Sequence, residues 1–213
     1  MISVYLIGIF VAILSALLLK RTVFQGESVP FVLELPAYRI PSAKSVLLHM
    51  WEKAKDFLRK AFTIIFVASI IIWFLQSFDF AFNFVEDSST SMLANIGTWI
   101  SHIFAPLGFE DWRASTALVT GITAKESVVS TLSVLTNTTS DAGLSVALQT
   151  IFSPVSAFAF LCFTVLYMPC VAAFAATKRE LGSMKQALAT VAYQTGVAYV
   201  VALLVYQIGS LLF

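Results

Sequence analysis

An all-α fold set in a lipid bilayer is what this sequence predicts, and three observations predict it. Hydrophobic residues make up 59% of the 213-residue chain and charged residues only 12%, against roughly a quarter charged in an average soluble domain. Mean hydropathy is +0.88, so the chain lacks the charge to coat a water-facing surface and lipid is the solvent it suits. The apolar residues are also gathered into runs close to the roughly 20 residues a helix needs to cross a bilayer core. The expected architecture is about four transmembrane helices, a re-entrant or broken helical hairpin, and an interfacial amphipathic helix.

The same composition excludes several classes. A net charge of +1 argues against nucleic acid as a partner. Cys162 and Cys170 both fall in an apolar run, which does not suit a secretory disulfide framework. The N-terminus does not read as a cleavable signal, because its first charge, Lys20, follows the apolar run instead of preceding it. There is no Walker A loop, no GxGxxG after a strand, no GxSxG and no HExxH, so nothing supports a hydrolytic or redox enzyme.

Ile2 to Leu19 is the first span, within a transmembrane segment 1–20 that stops at Lys20-Arg21. Residues 21–60 are expected to be a cytoplasmic linker and amphipathic helix. Its first part, Thr22 to Ser45, carries Pro30, Pro36 and Pro41 and reads as extended, since each proline biases the residue before it away from helix. In His49 to Lys60, Trp51, Ala54, Phe57, Leu58 and Ala61 fall on one helical side and charges cover the rest. That suits a helix at the membrane surface or a solvated extension of the following span. A membrane domain, 61–213, is expected to hold spans at about 61–78, 154–176 and 187–213, with a re-entrant segment at about 114–135. Met92 to Phe104 is amphipathic and too short to cross. Asp79, Glu86 and Asp87 make an acidic loop; Lys178, Arg179 and Lys185 make a basic one.

Charge asymmetry orients these spans. Lys20-Arg21, the cluster from Lys53 to Lys60, and Lys178 to Lys185 belong on the cytoplasmic side. The chain is then outside at Asp79 and outside again near Ser153, so Ala114 to Leu135 enters and returns instead of crossing once. Irregular backbone at membrane depth is tolerated only when buried in protein or lining a wet cavity.

Lys125 and Glu126 sit in the middle of that segment, and an intramembrane charge is a functional-site hypothesis by default. On a helix they point roughly 100° apart, so each needs its own partner or water. Thr116, Thr120, Thr123, Ser127, Ser130, Thr131 and Ser133 add hydroxyl oxygens nearby. The segment reads either as the lining of an ion path, with Lys125, Glu126 and Ser130 in it, or as a hairpin tip reaching headgroups. Cys170 follows Pro169, which opens the helix locally. Freed carbonyls and a thiolate there suit a soft or borderline metal ion, whereas an isolated membrane Cys is otherwise a small hydrophobe. Cys162 reads as packing and Met168 as filler. His49 and His102 read as interfacial, with no second His or carboxylate at ligand spacing.

Several blocks resemble a known family. PFVLELPAYRIPS (Pro30 to Ser42), HMWEKAKDFLRKAFTIIF, APLGFEDWRASTALVTGITAKESVVSTL (Ala105 to Leu132), LYMPCVAAFAATKRELGS (Leu166 to Ser183) and AYQTGVAYVVALLVYQIG are similar, in order, to the membrane region of the FeoB ferrous iron transport proteins. The resemblance covers nearly the whole chain. It implies the C-terminal half of that family's membrane domain, with the second gate region and without the GTPase domain, so that the chain reads as a fragment or one piece of a split protein. It also implies Fe²⁺ as the transported ion with no bound cofactor, Cys170 as a transient iron ligand, residence in the cytoplasmic (inner) membrane, and a partner: a GTPase and first-gate half, or further copies. Met168 stands where a Thr is expected, and Ser127 where an aliphatic residue is usual. Two other functions remain open: a non-transporting module that assembles with a partner half, and a gate for nucleosides or another solute.

Overall fold

The computed structural model describes residues 2–22, 42–85, 88–138 and 140–212. These are helical apart from short turns and one isolated bridge between Phe78 and Phe84. They divide into two compact units, Met1–Ala61 and Phe62–Phe213. Helix α1 (Ile2–Thr22) is predominantly apolar and carries Lys20 and Arg21 in its last turn, where cations meet the negative end of the helix dipole.

Helix α2 (Ala43–Ser77) is one unbroken helix of 35 residues. Of the two readings of residues 49–60, the structure has the extension of the following span and not a separate amphipathic helix. The helical backbone continues from there into the apolar run at 61–78, because no glycine or proline interrupts residues 43–77. The extended reading of Thr22 to Ser45 falls mainly on residues outside the described ones; Thr22 and Ala43 to Ser45 are helical.

A tight turn closes α2. The Asp79 carboxylate accepts from the backbone N–H groups of Ala81 at 2.8 Å and Asn83 at 2.9 Å. The Asn83 N–H is the main cause that holds this carboxyl below its ordinary value. Helix α3 (Met92–Phe104) starts at Ser91, whose hydroxyl accepts from the Ala94 N–H at 3.1 Å, a side-chain cap of the usual kind. Helix α4 (Trp112–Thr120) is capped by Asp111, which accepts from Arg113 N–H at 2.7 Å. Gly97 lets α3 and α4 meet closely: a Cβ there would collide with Thr116 Oγ1 and approach the Trp112 carbonyl to 2.8 Å.

The expected re-entrant segment is two short helices, α4 and α5 (Ser127–Leu135), packed on each other across a break at residues 121–126. Helix α6 (Asp141–Ile151) and helix α7 (Pro154–Leu166) follow, bent 102° apart. Ser140 and Ser153 cap them, and Pro154 sits in the first turn of α7, where a missing N–H costs nothing. The expected span at 154–176 is not continuous. It stops at Leu166 and resumes as α8 (Val171–Leu181), since Pro169 removes a donor and keeps Met168 out of the helical region. Lys178 and Arg179, expected in a loop, form the last turn of α8, and Lys185 lies in α9 (Met184–Leu212). Gly182 joins the two helices at φ 64°, a conformation glycine adopts without strain.

Among the described residues, α1 and α9 are each long and apolar enough to cross a membrane; a third span arises only if the bent pair α6–α7 is counted as one. The core of the second unit lies where α3, α4, α5, α7 and α9 meet. Phe104, Phe109, Phe160 and Phe163 pack edge to face or stacked with centroids 5.1 to 5.4 Å apart, against the fully buried Ala198 and Ala202 of α9.

Candidate functional site

Two helix breaks meet in this core. The first, Gly121 to Glu126, separates α4 from α5. The second, Tyr167 to Cys170, separates α7 from α8. Each break frees backbone groups that an intact helix would pair, and each supplies the partners of the other. The Lys125 ammonium donates to the carbonyls of Val165 at 2.9 Å and Tyr167 at 3.4 Å, and lies 5.0 Å from the centre of the Tyr167 ring. It thereby caps the negative end of α7 and gains a cation–π contact. In return the Tyr167 hydroxyl donates to the Leu118 carbonyl at 3.2 Å, and the Val171 N–H to the Ile122 carbonyl at 2.9 Å. Gly121 makes room: a Cβ there would come within 2.6 Å of the Tyr167 hydroxyl.

On another side of the first break lies a cleft of about 240 Å³, lined by Ser69, Ile72, Trp73 and Gln76 of α2 and by Thr120, Thr123, Ser127, Ser130, Thr131 and Val134. Most of its hydroxyl protons are committed to nearby carbonyls. Thr123 donates to Thr120 O at 2.7 Å, Ser127 to Ala124 O at 2.7 Å, and Ser130 to Ser127 O at 3.0 Å. Thr120 shares a bond of 2.8 Å with Thr131 and donates to Ala117 O at 2.9 Å. A hydroxyl whose O–H is already donated to a carbonyl presents its lone pairs to the cleft, so the wall is rich in acceptors and carries no charge.

The residues expected in one ion path are thus divided. Ser130 lines the cleft. Lys125 turns away from it, onto α7. Glu126 is exposed and makes no ion pair or side-chain hydrogen bond among the described residues. Cys170 is partly buried and ends the second break as the N-cap of α8. Cys162 is fully buried in α7, as packing requires. Thr116 is buried under Gly97, and Ser133 bonds to Thr138 O at 2.6 Å, so neither lines the cleft. Ser69, Trp73 and Gln76 were not singled out by the sequence, because nothing local links α2 to residues fifty positions later. Two carboxylates do lie beside the histidines: Glu52 at 3.8 Å from His49 and Glu110 at 3.9 Å from His102. Both pairs are exposed, and such pairs contribute little. Among the described residues, no group of three or more His, Cys, Asp or Glu is placed to hold a metal ion.

Comparison with known proteins sets this geometry in a family. Residues 1–53 match the family described as Ferrous iron transport protein B C terminus, and residues 58–184, more than half of the chain, match the Gate family, described as Nucleoside recognition. The chain belongs to the FeoB family. It corresponds to the C-terminal membrane region of FeoB proteins. It is 40% identical to the Fe(2+) transporter FeoB of Staphylococcus aureus (strain COL) over 98% of its own length and 31% of that protein's. It is 41% identical to the FeoB of Methanocaldococcus jannaschii over 99% of its length and 32% of that protein's. A fusion of Fe(2+) transport protein A with FeoB from Porphyromonas gingivalis is 35% identical over 99% of this chain and 30% of the fusion. The chain therefore spans about a third of the length of these FeoB relatives. No solved structure matches it. Both helix breaks and the cleft from Thr120 onward lie inside the Gate match.

Proposed function

We propose that this chain serves as part of a ferrous iron permease of the cytoplasmic membrane. The observation that carries the proposal is the acceptor-rich cleft at the α4–α5 break, in a region shared with Fe(2+) transporters. Hydroxyl and carbonyl oxygens suit a hard or borderline divalent ion, and a neutral wall holds it weakly enough for release. In this reading Ser130 lines the path, Glu126 gathers cations at its mouth, and Cys170 is a transient soft ligand that favours Fe²⁺ over Mg²⁺. The α4–α5 pair is the re-entrant element. The spans are α1, 61–78, the α7–α8 pair and α9, and the remaining two thirds of a FeoB protein, or further copies, complete the pore. Such sites commonly lie between repeats.

The test is Fe²⁺ uptake into vesicles by a chimera in which this chain replaces the aligned part of the S. aureus transporter. Thr123→Val with Ser130→Ala is expected to lower uptake about tenfold, and Cys170→Ser and Glu126→Gln to lower it as well. Uptake unchanged in the double variant removes the cleft from the path. Unchanged uptake in both single variants removes Cys170 and Glu126.

A second reading is favoured by Trp73 and Gln76, which place an aromatic face and an amide in the same cleft, groups that also suit a nucleobase. Uptake of uridine in place of Fe²⁺ by the chimera would establish it. A third takes the chain as a module that transports nothing without a partner half; uptake by the chain alone would refute it.

A further inference from the structure

Lys125 was expected in the ion path, yet its ammonium is seated on a ready-made cation site. Two carbonyls from the open end of α7, those of Val165 and Tyr167, converge on it at 2.9 and 3.4 Å. The ring face of Tyr167 lies 5.0 Å away, and the half-buried Cys170 ends the same break as the N-cap of α8. Every one of these groups attracts positive charge: helix C-terminal carbonyls, an aromatic face, and sulfur once its proton leaves. An ammonium is a +1 charge on a flexible four-carbon stem. A divalent ion carries twice that charge and, unlike an ammonium, forms a bond with thiolate.

We propose that Lys125 is a tethered stand-in for the transported ion, occupying the site formed by Val165 O, Tyr167 O and Cys170 until a divalent cation of borderline softness displaces it. The inference rests on the permease reading. The incoming ion takes the carbonyls and the sulfur, the Cys170 proton leaves to water, and the Lys125 stem swings out. While the ammonium is seated, the site repels other cations, so Lys125 sets both the threshold for entry and the closed condition in the ion's absence. The role differs from lining a path. It predicts that removing the charge tightens ion binding, where removing a ligand would weaken it.

The test uses the full chain in lipid nanodiscs, with Co²⁺ as a redox-stable probe. An amine-reactive ester labels lysines, and mass spectrometry reads Lys125 against the exposed Lys178 and Lys185. Co²⁺ is expected to raise the labelling rate of Lys125 at least fivefold, with Na⁺ at equal ionic strength leaving it unchanged. Lys125→Met is expected to bind Co²⁺ about tenfold tighter, with a thiolate absorption band that Lys125→Met combined with Cys170→Ser lacks. Labelling of the unaltered chain needs no variant, so it decides the matter even if Lys125→Met does not fold. Labelling indifferent to Co²⁺, with Fe²⁺ uptake by the chimera intact, overturns the displacement and leaves the permease reading standing. Labelling that responds to Co²⁺ in a chain whose chimera takes up no Fe²⁺ supports the displacement and counts against the permease reading.

Discussion

Tyr167 shows how much one side chain carries in this fold. Its hydroxyl satisfies the Leu118 carbonyl at the end of α4, its ring lies under the Lys125 ammonium, and its body stacks on Phe163 with centroids 5.4 Å apart. Tyr167→Phe keeps the ring and removes one donor. It leaves a buried carbonyl unpaired, a loss of about 1–3 kcal/mol. The variant is expected to unfold at a lower temperature in detergent while retaining its aromatic packing; an unchanged midpoint would show that the bond contributes nothing. At this scale the sequence was only half legible. Proline before Cys170 marked the second break, and charge inside an apolar run marked the first. The pairing of the two breaks was not legible, because Lys125 and Val165 are 40 positions apart and no local pattern records a contact of that range.

At the scale of elements, small residues decide how α7 and α9 pack. Ala198 and Ala202 are fully buried, and a Cβ on Gly209 would come within 2.5 Å of Val155 Cγ1. Small residues allow such close approach between helices in lipid, where the hydrophobic effect gives little help. Ala202→Leu overpacks this seam and is expected to destabilise by about 1–3 kcal/mol. Gly196 offers the contrast. Nothing lies within 4 Å of an added Cβ, so Gly196→Ala is expected to stabilise α9 by about 0.5–1 kcal/mol. Thermal unfolding of the two variants side by side checks both signs. Element boundaries followed the sequence where a cap or a breaker announced them: Ser91 opens α3, and Pro169 splits the 154–176 run. They stay open where no breaker exists. The segment at 49–60 reads either as a surface helix or as an extension of the following span; charge does not end a helix, and α2 runs through it as that extension. The short helices α6 and α8 are flanked by Ser140 and Gly182, signals present in the sequence but overshadowed by the longer apolar runs beside them.

At the scale of the whole molecule, the charge distribution makes a claim about sidedness. The turn at Asp79 and the link at Gly182-Ser183 are expected on opposite faces of the membrane, since Lys178, Arg179 and Lys185 flank the second while acids flank the first. Single cysteines at Asn83 and Ser183, in a chain with Cys162→Ala and Cys170→Ser, are expected to react with an impermeant maleimide from opposite sides of sealed vesicles. Reaction of both from one side would reverse the reading of α4–α5 as an element that enters and returns. The all-helical membrane character was legible from composition, because lipid as solvent imposes it on every residue. The number of crossings was less so, since α6 and α7 bend by 102° at Phe152-Ser153, and hydropathy carries no record of direction.

The reciprocal clasp between the two breaks has a consequence for how the protein is made. A ribosome delivers residues in order, so the α4–α5 segment leaves the exit tunnel before the segment that completes it. Until Tyr167 and Val171 emerge, the carbonyls of Leu118 and Ile122 have no protein partner, and lipid cannot supply one. The nascent hairpin is therefore expected to stay in water or inside the insertion machinery while about fifty further residues are synthesised, its first half settling only when its second half arrives.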